Sequence, residues 1–170
     1  MFTRLYGCAQ VSSYCCVHTV SDSSMDSRTI DQILRRNKVT RRHYEGCFPS
    51  DMLPRPARYP MALVANLDPA SLPGSHWVAI YAGSPEKAYY FCPFGDPPKG
   101  NLLRYLSNFS DVTRNKCMFQ PLDSVACGYF AMYMIYHLCL GLSFPEVLSR
   151  LSHSDNPDLM VQLFIRELRK

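Results

Sequence analysis

A thiol, an imidazole and a carboxamide in this 170-residue chain hold positions from which they could do chemistry together. Cys127 is followed at once by Gly128 and opens a long apolar segment that predicts a buried helix. A thiol at a helix N-terminus is expected to have its pKa lowered, because the dipole and the free amides favour the thiolate. Gly128 is expected to let a substrate backbone approach closely. His76 follows Pro73-Gly74-Ser75 and precedes Trp77, at a loop–strand boundary where an imidazole can serve as general base to a cysteine from another element. Gln120, upstream of Cys127, can offer a side-chain N–H to an oxyanion. Each alone has an ordinary explanation: a packed thiol, a half-exposed ring, a surface amide. Together they supply nucleophile, base and electrophilic donor, the set that acyl transfer requires.

The elements that must position these residues can be read from apolar pattern and punctuation. Thr29-Ile30-Asp31-Gln32 has the form of a capping box and predicts a short helix over 30–36. A basic stretch follows (Arg35, Arg36, Lys38, Arg41, Arg42, His43), then an extended connection with prolines at 49, 54, 56 and 60. Three strands are expected at 61–66, 76–82 and 88–92, the last two as a hairpin, with a further short strand at 116–120. Helices are expected over 101–109, with Leu103 among its inward residues, from a cap at Asp123 or Ser124 to about Leu140, from Pro145, and over 157–169. The order of helix, clustered strands and helices predicts an α+β fold in one domain, 27–170, preceded by an N-terminal extension, 1–26.

Composition sets the outer bounds. A chain with 47% hydrophobic and 19% charged residues is too apolar to be generally disordered. The apolar stretch 125–140 carries His137 and falls short of the ~20 residues of a membrane span. No signal peptide is visible. Eight cysteines without a CxxC pair do not form a zinc ribbon, and they read as reduced thiols of an intracellular protein. The histidines show no metal-ligand spacing, and no metal is expected. The net charge of +4 is compatible with nucleic acid without demonstrating it.

Three segments carry a family resemblance: Gly74-Ser75-His76-Trp77-Val78-Ala79, Tyr89-Tyr90-Phe91-Cys92-Pro93-Phe94-Gly95, and Gln120 followed by Cys127-Gly128-Tyr129-Phe130. In combination they resemble the adenovirus-type cysteine proteases (adenain) and, more widely, the SUMO-specific protease clan. Gly46-Cys47-Phe48-Pro49 and Asn66-Leu67-Asp68-Pro69 resemble the versions encoded by Maverick/Polinton-type DNA transposons and related viruses. The resemblance spans about residues 28–150. It implies a permuted papain-like fold, with a small mixed sheet packed on a buried helix that carries the nucleophile. It assigns Cys127 as nucleophile, His76 as base and Gln120 as oxyanion donor, with Trp77 walling the site.

The acidic third member of that family falls here on Cys92. Asp96 is the nearest replacement carboxylate, and a Cys–His dyad working as a thiolate–imidazolium pair is the other expectation. The implied activity is endopeptidase cleavage of viral or mobile-element precursor proteins. Two alternatives are a SUMO- or ubiquitin-like isopeptidase and a catalytically impaired protease-fold binding module. The resemblance implies no small-molecule cofactor, DNA bound through residues 35–43 or a short peptide as activator, no membrane, a monomer, and a nuclear or virion location.

Overall fold

The computed structural model describes residues 25–170; most of the expected N-terminal extension, residues 1–24, lies outside the described residues. Met25 and Asp26 are already part of the domain, Met25 buried in the core and Asp26 capping the first helix. Helix α1 runs Ser27–Arg36, with the Asp26 carboxylate accepting the Thr29 N–H. The cap is thus Asp26 and not Thr29, since a carboxylate at the N-cap satisfies an orphan amide and meets the positive end of the dipole.

Five strands follow: β1 Tyr44–Phe48, β2 Met61–Asn66, β3 Trp77–Ala82, β4 Lys87–Phe91 and β5 Asp111–Arg114. They form one sheet in sequence order, parallel at both edges (β1 with β2, β4 with β5) and antiparallel in the middle. Helix α2, Gly100–Leu106, crosses over between β4 and β5; α3 (Cys127–Cys139), α4 (Phe144–Ser152) and α5 (Pro157–Leu168) complete the chain. The expected α+β class, a mixed sheet against a buried helix that begins at Cys127, is the observed one.

Alternation along the strands divides two cores. Ala62, Val64, Ala79 and Phe91 face α1, α3, α4 and α5, whereas Leu63, Val78, Ile80 and Tyr90 face Leu102, Leu106 and Phe109 on the α2 side. Every residue of β2 is buried, so five apolar residues and the polar Asn66 at its end form a fully covered inner strand. Helix α3 is apolar nearly all round because it lies between the sheet and the outer helices.

Local sequence misleads in four places. The fourth expected strand lies at Asp111–Arg114 instead of 116–120, as an exposed polar edge strand with no apolar run to announce it. Strand β1 was not expected, since it follows a basic loop and contains Gly46. Leu103 is 54% exposed, because the helix ends at Leu106 and turns only Leu102 and Leu106 to the sheet. Helix α3 starts at Cys127 with Ala126 as its N-cap and no side-chain cap, so neither Asp123 nor Ser124 fills that role.

Candidate active site

The His76 end of the site is built by Asn66. This side chain, buried at the end of β2, accepts the N–H groups of Asp68 and Ser75 and so ties down the loop before β3. The Leu67 N–H donates to His76 O, which continues the ladder one step past the strand. Gly74 has φ +93°, and a Cβ there would meet Asn66 at 2.8 Å, so the loop needs glycine. His76 is thereby held rigidly and only 7% exposed. Its ring stacks on Phe94, with 4.6 Å between centroids. Burial lowers its pKa to about 4, against which the nearby Asp96 carboxylate acts only in part.

The His76 and Cys127 segments come together at Trp77. The backbone N–H groups of Trp77, Gly128 and Cys127 lie near the Cys127 sulfur and favour its thiolate. The residue beside His76 is therefore a neighbour of the thiol at the start of α3. Without a side-chain cap, the first-turn amides of α3 keep donor capacity for a ligand. Two expectations change here. Burial outweighs the amides and raises the Cys127 pKa above its ordinary value, and burial lowers that of His76, so both groups are uncharged at neutral pH. The expected resting thiolate–imidazolium pair is replaced by two uncharged groups. Gly128 faces Met25 and not a substrate: a Cβ would lie 2.8 Å from that side chain.

Gln120 is buried in the loop leading to α3. Its Nε2 donates to Ser124 O at 2.8 Å, which leaves a second N–H, and its Oε1 is buried without a hydrogen-bond partner. The backbone N–H groups of Phe119 and Gln120 both donate to Pro93 O, joining this loop to the end of β4. The Trp77 indole donates to Met25 O at 2.8 Å and so anchors the entry of the chain beside Gly128.

The acidic position remains the departure. The Cys92 sulfur lies 3.4 Å from His76 Nε2 and is wholly buried. Asp96 is exposed; its carboxylate acts on His76 through space and its backbone N–H lies near the Cys92 sulfur. Asn115, which the sequence did not single out, clamps the Cys92 backbone: its Oδ1 accepts the Cys92 N–H at 3.0 Å and its Nδ2 donates to Cys92 O at 2.7 Å. The only local hint was an asparagine following the basic edge residue Arg114.

Known structures resemble this arrangement of sheet and helices. The crystal structure of the ASFV pS273R protease superposes with a TM-score of 0.50 at 17% identity, covering 79% of this chain and 66% of that chain. The chain shares its fold with that protease. The central domain of the uncharacterized Lpg1148 protein from Legionella pneumophila also superposes, with a TM-score of 0.53 at 14% identity, covering 87% of this chain and 98% of that one. No protein-family model and no curated protein matches the chain. This chain thus spans 66% of the length of the pS273R chain, so that protein's activity does not transfer with the fold.

A cleft of about 920 Å³ opens elsewhere, on the α2 side between Arg55, Tyr59, Arg104 and Tyr105, and none of the candidate residues lines it. Among the described residues no helix is long and apolar enough to cross a membrane.

Proposed function

We propose that the protein is a cysteine endopeptidase. The observation that carries this reading is the nearness of the Trp77 backbone N–H to the Cys127 sulfur, which places the histidine-bearing strand beside the start of α3 in a fold shared with a protease. In the reaction, His76 takes the Cys127 proton as the sulfur attacks the scissile carbonyl carbon. With Nε2 occupied by Cys92, the nitrogen that does this is Nδ1. The oxyanion is held by the free Nε2–H of Gln120 and the backbone N–H of Cys127. Collapse breaks the C–N bond, and His76 returns its proton to the departing amine. Water then adds to the thioester with His76 as base, releasing the acid and restoring the thiol.

Because thiol and imidazole are both uncharged at rest, the proton moves during attack. Reactivity toward a small alkylating agent should therefore rise with pH.

The substrates are precursor proteins of a virus or mobile element, and the family is the adenain-like one; motif resemblance supports both. The partners that resemblance implies, DNA on the basic residues 35–43 and an activating peptide, belong to the same proposal. The test is alkylation of the whole chain and of Cys127→Ala and His76→Ala across pH, in parallel with cleavage of a peptide library read by mass spectrometry. Loss of the fastest-reacting thiol in Cys127→Ala and its slowing in His76→Ala, together with cleaved peptides, supports the endopeptidase. Cleavage confined to ubiquitin-like C-terminal substrates would make it an isopeptidase. A Cys127 that reacts no faster than an ordinary thiol, with no peptide cut, would make the fold a binding module.

A further inference from the structure

We propose that Cys92 is the positioning residue that sets the tautomer of His76, by acting as a hydrogen-bond acceptor where a carboxylate would otherwise stand. The inference deepens the endopeptidase reading and rests on it for its kinetic consequence.

A neutral imidazole carries one hydrogen, and its two nitrogens are not equivalent in this site. With the Cys92 sulfur 3.4 Å from Nε2, two arrangements exist. If the thiol donates to Nε2, the ring hydrogen sits on Nδ1, and Nδ1 cannot accept a proton from Cys127. If Nε2–H donates to sulfur, Nδ1 keeps its lone pair and the ring is a competent base. The two arrangements differ by one proton position, and one is catalytically dead.

What else faces the sulfur decides between them. The backbone N–H groups of Phe94 and Asp96, in the turn that follows β4, lie near Cys92 Sγ and favour electron density there, while Gly95 N–H is given to Cys92 O. Backbone amides facing an atom favour its role as an acceptor. A sulfur beside such donors is the acceptor of the pair, and Nε2–H is the donor that reaches it at 3.4 Å. The thiol hydrogen loses little by lacking a partner, because S–H is a weak donor. The charged groups at this cluster are the Asp96 carboxylate, which favours a proton on His76 and disfavours ionisation of Cys92, and the Arg114 guanidinium, which binds Gly95 O and acts on Tyr90.

The turn is too well fixed to rearrange. Asn115 holds the Cys92 backbone at both N–H and C=O, and Gly95 N–H donates to Cys92 O at 2.8 Å. Arg114 donates to Gly95 O at 3.2 Å. Gly95 has φ +77°, and a Cβ there would stand 2.9 Å from the backbone of Lys116 and Cys117. One short turn thus delivers the Phe94 ring to the face of His76, the Cys92 sulfur to its edge, and the amides to that sulfur.

The test begins with the unmodified protein and no substrate. Long-range ¹H–¹⁵N correlation spectra of the ¹⁵N-labelled full chain at pH 7, assigned by loss of signals in His76→Asn, report which ring nitrogen bears hydrogen. The expected result is hydrogen on Nε2; hydrogen on Nδ1 overturns the proposal without any mutation of Cys92. In Cys92→Ala, a mixture of tautomers is expected, with kcat falling about tenfold or more and KM little changed. In Cys92→Asp, the carboxylate should restore the Nε2–H form and raise the pH at which the ring protonates. An Ala variant with unchanged tautomer and unchanged kcat overturns the proposal. Should Cys92→Ala fail to fold, Cys92→Ser reads the same spectra. If the tautomer is as expected but no peptide is cleaved, the assignment of Cys92 stands and the endopeptidase reading falls.

Discussion

Cys127 and Cys92 are two thiols in one small region, and their surroundings differ in an instructive way. Nearby backbone N–H groups favour the thiolate of both, and burial outweighs them and raises the pKa of both. Cys127 stands at the mouth of a helix, half-exposed, with amides it shares with whatever lands there. Cys92 is wholly buried in a tight turn, its backbone clamped by Asn115 and its sulfur spent on His76. The same functional group is left open to a ligand in one place and committed to a neighbour in the other. Backbone architecture, more than residue type, divides a nucleophile from a positioning group.

The comparison breaks most sharply at the nucleophile. Replacing Cys127 by Ala should lower kcat about 10⁴-fold or more, measured on any peptide found to be cleaved, because nothing else in the site can form the thioester. Gln120→Ala should cost about 10²–10³-fold in kcat with little change in KM, the loss of one oxyanion donor. It removes the bond to Ser124 O but also the buried, unpartnered Oε1, and the two offset, so thermal melting should show no loss of stability large enough to account for the effect.

The His76 side is sharpened by pH. The pKa of His76 is about 4 in the fold and near 6.5 when unfolded. Above pH 6.5 the ring is neutral in both states and the folded protein has its full stability. Between 6.5 and 4 the unfolded chain takes up a proton that the folded one refuses, so stability falls with pH, and the loss is complete below 4. The expected loss is on the order of 3 kcal/mol. His137 is depressed in the same direction, so the check is urea unfolding at pH 7.5 and 4.5 of both wild type and His76→Asn. The variant should lose less; equal losses would mean that His76 is not buried as a neutral ring.

Asn115→Ala should destabilise by about 2 kcal/mol in the same unfolding assay, since it strands the buried Cys92 N–H, while Cys92 O keeps the Gly95 N–H. The smallest effect is expected at Asp96→Asn. Removing the exposed carboxylate lowers the protonation pH of His76 slightly, visible as a shift of its NMR titration to more acid pH. A loss as large as that of Cys127→Ala would instead place Asp96 in the machinery.

The placement of the candidate residues was legible in the sequence because they sit at the ends of regular elements. Cys127 opens an apolar helix and His76 precedes an apolar strand, so pattern alone put both at element boundaries. The pKa of Cys127 was misread because position along a helix is visible in sequence, whereas desolvation depends on packing by residues far away. Gly128 was misread for the same reason: its neighbour, Met25, is more than a hundred residues upstream. The Asn115 clamp and the amides around Cys92 left no signal, because hydrogen bonds to backbone place no demand on the type of the residue they hold. Strand β5 was shifted because an edge strand with exposed Asp111, Val112 and Thr113 lacks the apolar run that marks a strand.

Met25 touches more than Gly128. Its carbonyl takes the Trp77 indole N–H, and its sulfur lies 3.2 Å from an Arg169 guanidinium nitrogen. The segment that enters α1 and the end of α5 therefore meet at one spot, beside the start of the helix that bears Cys127. A short linker from residue 170 to residue 25, in place of residues 1–24, would close a ring, and new ends could be cut at an exposed turn such as Gly83-Ser84-Pro85. After such a cut Cys127 would precede His76 in the chain while every contact between them stayed the same. The order in which thiol and imidazole are encoded is thus a property of where the ring is opened, and the packing that joins them is indifferent to it.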